Sequence, residues 1–405
     1  LKGYRVLDMS RILAGPWAGQ LLADLGADVV KIERPGCGDD TRHWGPPYLK
    51  DQDGNETEDA AYFFCANRGK KSVTIDITRS EGQDIIRQLA LQSDVLIENY
   101  KVGGLAKYGL DYSALKKINP KLIYCSITGF GQTGPYANRP GYDFLIQGMG
   151  GLMSITGEPD SPDNKTAGPV KVGVAVTDLF TGLYAANAIQ GALLERHQSG
   201  VGQYIDLALL DVQAAVLANQ ASNYLIGNLV PERLGNAHPN IVPYQAFATA
   251  DSHIIIAVGN DQQFARFCKV IESPLMAEDP LYASNANRVN NRQVLCDSIS
   301  VSLRQKDSLH WLAAFEANDV PCGPINSIDQ VFEDPQIIAR EMLINVTESR
   351  SGSLKMVGNP IKYSRTRIEY PASPPQLGEQ TNDVLQDYLE YSDCQLTELQ
   401  AKGII

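Results

Sequence analysis

Hydrophobic positions in the first third of the chain alternate between two rhythms. Short apolar runs at 4–9, 28–33, 72–77, 94–98 and 122–127 suit strands buried on both faces. Between them, 17–25 places Leu21, Leu22 and Leu25 on one helical face, and Gly26 stops it. Residues 80–92 do the same with Ile85, Ile86 and Leu89, and 112–118 forms a further helix. Strands separated by helices predict an open α/β sheet, parallel and Rossmann-like, with right-handed crossovers.

The rhythm then changes. A long helix is predicted over 177–195, rich in small residues (Gly182, Ala185, Ala186, Ala188, Gly191, Ala192) that suit close helix packing. A second helix is predicted over 206–225. After Pro231, residues 243–247 and 254–258 alternate like two strands of a different sheet, and amphipathic helices follow at 262–271 and 308–316. Pro321-Cys322-Gly323-Pro324 reads as a rigid turn. The expected organisation is a large α/β domain, 1–227 plus 329–405, with a small α+β domain, 228–328, inserted. The Pro-rich segment 371–375 leads to a last helix.

Composition narrows the function. The net charge of −12 argues against a nucleic-acid binder, whose affinity rests on clustered Lys and Arg. No apolar stretch approaches the roughly 20 residues of a membrane helix. Seven cysteines and five histidines show no metal-ligand spacing, so no metal is expected. Reduced thiols fit the cytoplasm, or a mitochondrial or peroxisomal interior in a eukaryote. The first residue is Leu1, which leaves room for an upstream leader.

Candidate chemistry gathers after the strands, where open α/β sheets bind ligands. Arg34 follows one, Asn99, Tyr100, Lys101 and Lys107 follow another, and Thr128-Gly129-Phe130-Gly131 follows a third. The glycines offer free amides and close backbone approach. A nicotinamide enzyme is disfavoured, because Arg11-Ile12-Leu13-Ala14-Gly15-Pro16 lacks the GxGxxG fingerprint. Asp178 opens the 177–195 helix. As a cap or as a carboxylate at a helix N-terminus, it is expected to be held ionised and so available as base or nucleophile.

Taken in order, these strings resemble the class III CoA-transferases, the formyl-CoA transferase-like family. The carriers are Leu7-Asp8 through Ala14-Gly15-Pro16, 25–33, Gly38-Asp39-Asp40-Thr41-Arg42, 67–72, Glu98-Asn99-Tyr100, 127–131, Asp178, 321–324 and Leu377-Gly378. The segments 34–47, 235–238 and 241–247 are similar to the family's dicarboxylate branch. The resemblance implies a homodimer of two interlocked subunits. It implies coenzyme A and acyl-CoA as substrates, succinyl-CoA and glutarate among them, with no prosthetic group. It implies Asp178 as the nucleophile and CoA contacts at Leu13, Ala14, Arg34, Ile75, Asn99, Tyr100, Lys101, Lys107 and 128–131. Gly129 and Gly131 amides are the candidate oxyanion donors. Arg11, Leu13 and Thr128 replace the His, Gln and Lys of formate-specific members, which fits a larger acid; Arg11 or His238 is the candidate for its distal carboxylate. Two alternatives remain at this point: an α-methylacyl-CoA racemase and a non-catalytic CoA-binding protein. Racemisation needs a second acid/base, and Gly141-Tyr142-Asp143 lacks the racemase His.

Overall fold

The computed structural model describes residues 1–160 and 168–405. They fall into two compact units. One comprises 1–152, 172–221 and 335–405, and the other 153–171 and 222–334. The expected small domain, 228–328, lies within the second unit's longer segment.

Among the described residues there are thirteen strands. They are β1 (Arg5–Asp8), β2 (Asp28–Glu33), β3 (Tyr48–Lys50), β4 (Glu56–Ala60), β5 (Lys70–Thr74), β6 (Val95–Glu98) and β7 (Ile123–Thr128). They continue with β8 (Tyr204–Ala208), β9 (Tyr244–Ala248), β10 (His253–Ala257), β11 (Cys322–Pro324), β12 (Leu343–Glu348) and β13 (Gly352–Val357). In the first unit six strands pair in parallel, in the order β5-β2-β1-β6-β7-β8. Counting only the sheet's own strands, this is the doubly wound 3-2-1-4-5-6 order, with its switch point between β1 and β6.

Both faces of this sheet are covered, which is why its strands read as unbroken apolar runs. Side chains alternate between two cores. Leu7, Val30 and Leu96 enter one, with Ile85, Ile86 and Leu89 of the helix Ser80–Leu91. Val6, Val29 and Ile97 enter the other, with Ala185 and Ile189 of the helix Val176–Ser199. That helix lies against Ala14–Asp24 so closely that a Cβ at Gly182 would sit 2.8 Å from the Ala14 carbonyl oxygen. The small-residue pattern reflects this contact.

In the second unit β9, β10 and β11 form an antiparallel sheet. Its core stacks Phe264, Phe267, Phe315 and Trp311.

Three readings are corrected. Residues 204–208 are the sheet's sixth strand, so the predicted helix 206–225 begins in strand and continues as two helices, Leu209–Val216 and Ala218–Gly227. Pro321–Pro324 is not merely a turn: 322–324 pairs with β10 at the sheet edge, where proline is tolerated. The C-terminal segment ends in two helices, Thr381–Leu389 and Asp393–Ala401, which bury Val384, Leu385 and Leu396 in the first core. No helix among the described residues is long and apolar enough to cross a membrane.

Candidate active site

Every strand of the parallel sheet delivers its following residues to one cavity of about 770 Å³ in the first unit. Arg11–Ala14 follow β1, Arg34–Asp40 follow β2, and Ile75–Thr78 follow β5. Asn99–Lys107 follow β6, the segment 127–142 follows β7, and Leu209 follows β8. Asp178 lines the same cavity. The structure thus brings together Arg11, Leu13, Ala14, Arg34, Ile75, Asn99, Tyr100, Lys101, Lys107, Thr128, Gly129 and Asp178.

Three expected residues are placed otherwise. Phe130 is buried in the core beside Ile127 and Ile146. Gly131 does not line the cavity, and its amide donates to Thr128 Oγ1 at 2.9 Å, so it is not free for an oxyanion. The role expected of Gly131 is therefore corrected to fixing the loop. Gly129 is required for a different reason: a Cβ there would stand 2.5 Å from Gly141 Cα. The two glycine backbones touch, which draws the segment carrying Tyr142 and Asp143 onto the end of β7. His238 belongs to the second unit, where its ring meets Tyr244 and its Nδ1 accepts from the Asn240 amide. Burial and the charge of Arg292 both lower its pKa.

Asp178 is not the helix cap. Ala175 occupies that position, and Asp178 is the third residue of the first turn. The capping carboxylate comes from another helix. Asp143 Oδ1 accepts from the Thr177 amide at 2.9 Å and from the Asp178 amide at 3.4 Å, while Asp143 Oδ2 accepts from Gln147. Nor is Asp178 held ionised as expected. Burial, followed by the charge of Asp143, pushes its pKa up to about 7. A helix terminus contributes only about 0.3–1 kcal/mol toward the anion, whereas desolvation of a carboxyl shifts its pKa by whole units. Asp143 was legible only as the position after a missing histidine; its capping role depends on a tertiary contact.

Another wall is the turn between β1 and the helix Ala14–Asp24. Arg11 projects from it, with its guanidinium 2.9 Å from Asp40. Cations line the cavity without being buried in salt bridges: Arg34, Lys101, Lys107 and Arg139, the last stacked on Tyr136. A cavity with a carboxylate, several exposed cations and the backbone of Gly129 suits a long, phosphate-bearing ligand with a reactive end. Among the described residues no cluster of three or more His, Cys, Asp or Glu is placed to hold a metal ion.

An open doubly wound sheet whose switch-point cavity carries a half-buried carboxylate and exposed cations defines an α/β protein that binds its ligand at the strand ends. Comparison supplies the family: the model of CoA-transferase family III matches residues 1–381, and the chain belongs to that family as a CoA-transferase. It is similar to the succinate–glutarate CoA-transferase of Agrobacterium fabrum, at 52% identity over 385 residues, covering 95% of this chain and 94% of that relative. It is 42% identical to the human succinyl-CoA:glutarate CoA-transferase, over 100% of this chain and 90% of the relative. Among solved structures it resembles a CaiB/BaiF family protein from Brucella suis. There the TM-score is 0.83 at 48% identity, covering 96% of this chain and 98% of the other.

Proposed function

We propose that this enzyme exchanges CoA between succinyl-CoA and a second dicarboxylic acid such as glutarate, through a covalent intermediate on Asp178. The reading is carried by the position of Asp178 on the one cavity that all six strand ends build, and it is supported by the activities in the relatives' names.

The exchange needs no external energy, because one thioester replaces another. Asp178 attacks the succinyl carbonyl, forming a mixed anhydride and releasing CoA thiolate. The thiolate attacks the aspartyl carbonyl, giving an Asp178–CoA thioester and free succinate. A glutarate carboxylate then attacks that thioester, releasing the thiolate again, and the thiolate takes the glutaryl group from the second anhydride. Splitting one difficult exchange in this way is covalent catalysis. The Gly129 amide is the candidate donor to the oxyanions formed. Arg34, Lys101 and Lys107 are placed for the phosphates of CoA, with Leu13, Ala14, Ile75, Asn99, Tyr100 and Thr128 along its length.

For the acid's distal carboxylate Arg11 is preferred over His238, whose lowered pKa keeps the ring neutral at physiological pH. With Arg11→Ala, preference for glutarate over the five-carbon monoacid should fall about tenfold, since one charge-assisted pair is lost. Unchanged selectivity would remove Arg11 from this role.

A homodimer with an inserted small domain is part of the proposal. It is supported by apolar side chains left exposed on two helices of the first unit. These are Phe144, Leu145 and Met149 on Asp143–Met149, and Phe180, Leu183 and Tyr184 on Val176–Ser199.

The decisive experiment is mass spectrometry of enzyme incubated with succinyl-CoA. The peptide containing Asp178 should carry CoA, and hydroxylamine should convert that residue to a hydroxamate with loss of activity. An adduct on any other residue, or full activity after hydroxylamine, overturns the mechanism.

A further inference from the structure

The turn 10–12 is held by its amides, and each amide is taken by a different side chain. Ser10 N–H donates to Asp8 Oδ1 at 3.0 Å, from the end of β1. Arg11 N–H donates to Asn99 Oδ1 at 2.9 Å, and Asn99 Nδ2 returns a bond to the Arg11 carbonyl at 2.7 Å. Ile12 N–H donates to both oxygens of Asp39 at 3.2 Å. No regular element supplies such bonds here.

Ile12 also has φ +73°, the left-handed region. For a β-branched residue this is a genuine outlier, and such a conformation persists only where the surroundings over-determine it. Asp39 supplies that determination. Its carboxylate is fully buried against Lys31, 2.8 Å away, and Lys31 also donates to the Ser10 carbonyl at 2.9 Å. Thr41 adds its amide and hydroxyl to Asp39 Oδ1. Asp39 itself is anchored through its own amide to Glu33. A rigid ionic post therefore stands behind the turn whose next residues, Leu13 and Ala14, line the cavity with Asp178.

We propose that Asp39 is a positioning residue. Together with Lys31 it holds Ile12 in its left-handed conformation, and so fixes the wall formed by Arg11, Leu13 and Ala14 for the acyl-transfer steps. The inference rests on the CoA-transfer reading of this cavity. Asp39 belongs to a segment that lines the cavity, but its carboxylate is buried and bonded to Lys31, Thr41 and the Ile12 amide. Its effect runs through the backbone of the turn, so it should act on turnover more than on CoA affinity, because Lys101 and Lys107, placed for the phosphates, stand at the end of β6, away from this turn.

The test uses the full-length protein in succinyl-CoA/glutarate exchange. Asp39→Asn combined with Lys31→Met removes the buried charges as a pair, leaving neither uncompensated. This variant should lose roughly 10- to 100-fold in kcat, the scale of a released strained turn, with KM for succinyl-CoA changed less than about threefold. Adding Ile12→Gly, which adopts the left-handed region without steric cost, should recover about tenfold of that loss. A merely structural role for Asp39 would not respond to a glycine at position 12. Ile12→Pro is the second probe. It forces φ near −65° and deletes the amide bonds to Asp39 while leaving the Lys31–Asp39 ion pair in place, and should lose kcat to a similar extent.

The proposal is overturned if kcat stays within about twofold of wild type in Ile12→Pro, or if Ile12→Gly brings no recovery to the folded Asp39 variant. Should the Asp39 variant not fold, the Ile12→Pro result decides alone. A wild-type protein that exchanges no CoA between the two acids would instead end the reading of the reaction, a distinguishable failure.

Discussion

Asp178→Asn should lower turnover by at least about 10³-fold, because the amide cannot form the anhydride on which the exchange depends. Its fold should persist, as Asn occupies the same space at the start of the helix Val176–Ser199. The wild-type pH profile provides a second readout. Burial and Asp143 push the Asp178 pKa up to about 7, and only the ionised carboxylate is a nucleophile. Activity as kcat/KM should therefore fall as pH drops through about 7, with roughly a tenth remaining at pH 6.

Stability runs the other way. A carboxyl whose folded pKa is raised binds its proton more tightly in the folded state. Its favourable contribution is fully present below the unfolded pKa, near 3.8, and is lost as pH rises through about 7. Asp178→Asn removes this titration, so at pH 8 the inactive variant should unfold at higher denaturant than wild type, by an amount on the order of 1–3 kcal/mol. An Asn variant that keeps more than a tenth of wild-type turnover would end the nucleophile assignment. One that is inactive but no more stable at pH 8 would mean that the pocket solvates the carboxylate better than its burial indicates.

The parallel sheet was legible because both of its faces are buried, so each strand carries an apolar run that periodicity alone detects. β8 escaped for the complementary reason. Tyr204–Ala208 runs directly into the helix Leu209–Val216, and with no glycine or proline between them the apolar residues merge into one helical pattern. The hairpin β12–β13 escaped too, although Ile344, Val346, Leu354 and Met356 alternate with the polar Asn345, Thr347 and Lys355 as a half-exposed hairpin does.

In the site, single residues were visible and their partners were not. Asp178 stood out, but Asp143, which caps its helix, lies 35 positions away and meets it only in the fold. The turn 10–12 reads as an ordinary loop in sequence. Its amide acceptors come from Asp8, Asn99 and Asp39, residues that converge only once β1, β2 and β6 are side by side. Gly131 shows the opposite error: a glycine loop after a strand suggests free amides, yet a neighbouring hydroxyl had already taken this one.

The post behind Asp39 continues into a wider buried ionic assembly, and its centre predicts the largest stability effect. Arg42 is almost fully buried. Its Nε and Nη2 form a two-pronged pair with Glu33 at 2.9 and 2.7 Å, its Nη1 donates to Asp59 at 2.8 Å, and its Nη2 reaches the Pro375 carbonyl. The guanidinium also stacks on Phe63, 3.6 Å from the ring centre. One side chain thus joins the end of β2, β4 and the C-terminal segment. Arg42→Met keeps much of the volume and leaves Glu33 buried without its counter-charge; a loss of about 3–5 kcal/mol is expected near pH 8.

The pH dependence should invert as well. In the wild type burial raises the Glu33 pKa, but the Arg42 hydrogen bonds and charge outweigh it and hold the pKa below the usual 4.5. That stability is present above the unfolded pKa and is lost as pH falls through the lower folded value. Without Arg42 the burial effect prevails and the folded pKa rises above 4.5. Stability is then lost as pH increases and regained as Glu33 protonates. Urea unfolding of Arg42→Met between pH 5 and 8 should therefore show a gap to wild type that narrows toward pH 5. A gap below about 1 kcal/mol at pH 8 would mean that the hydrophobic packing of Phe63, and not the paired charges, holds these segments together.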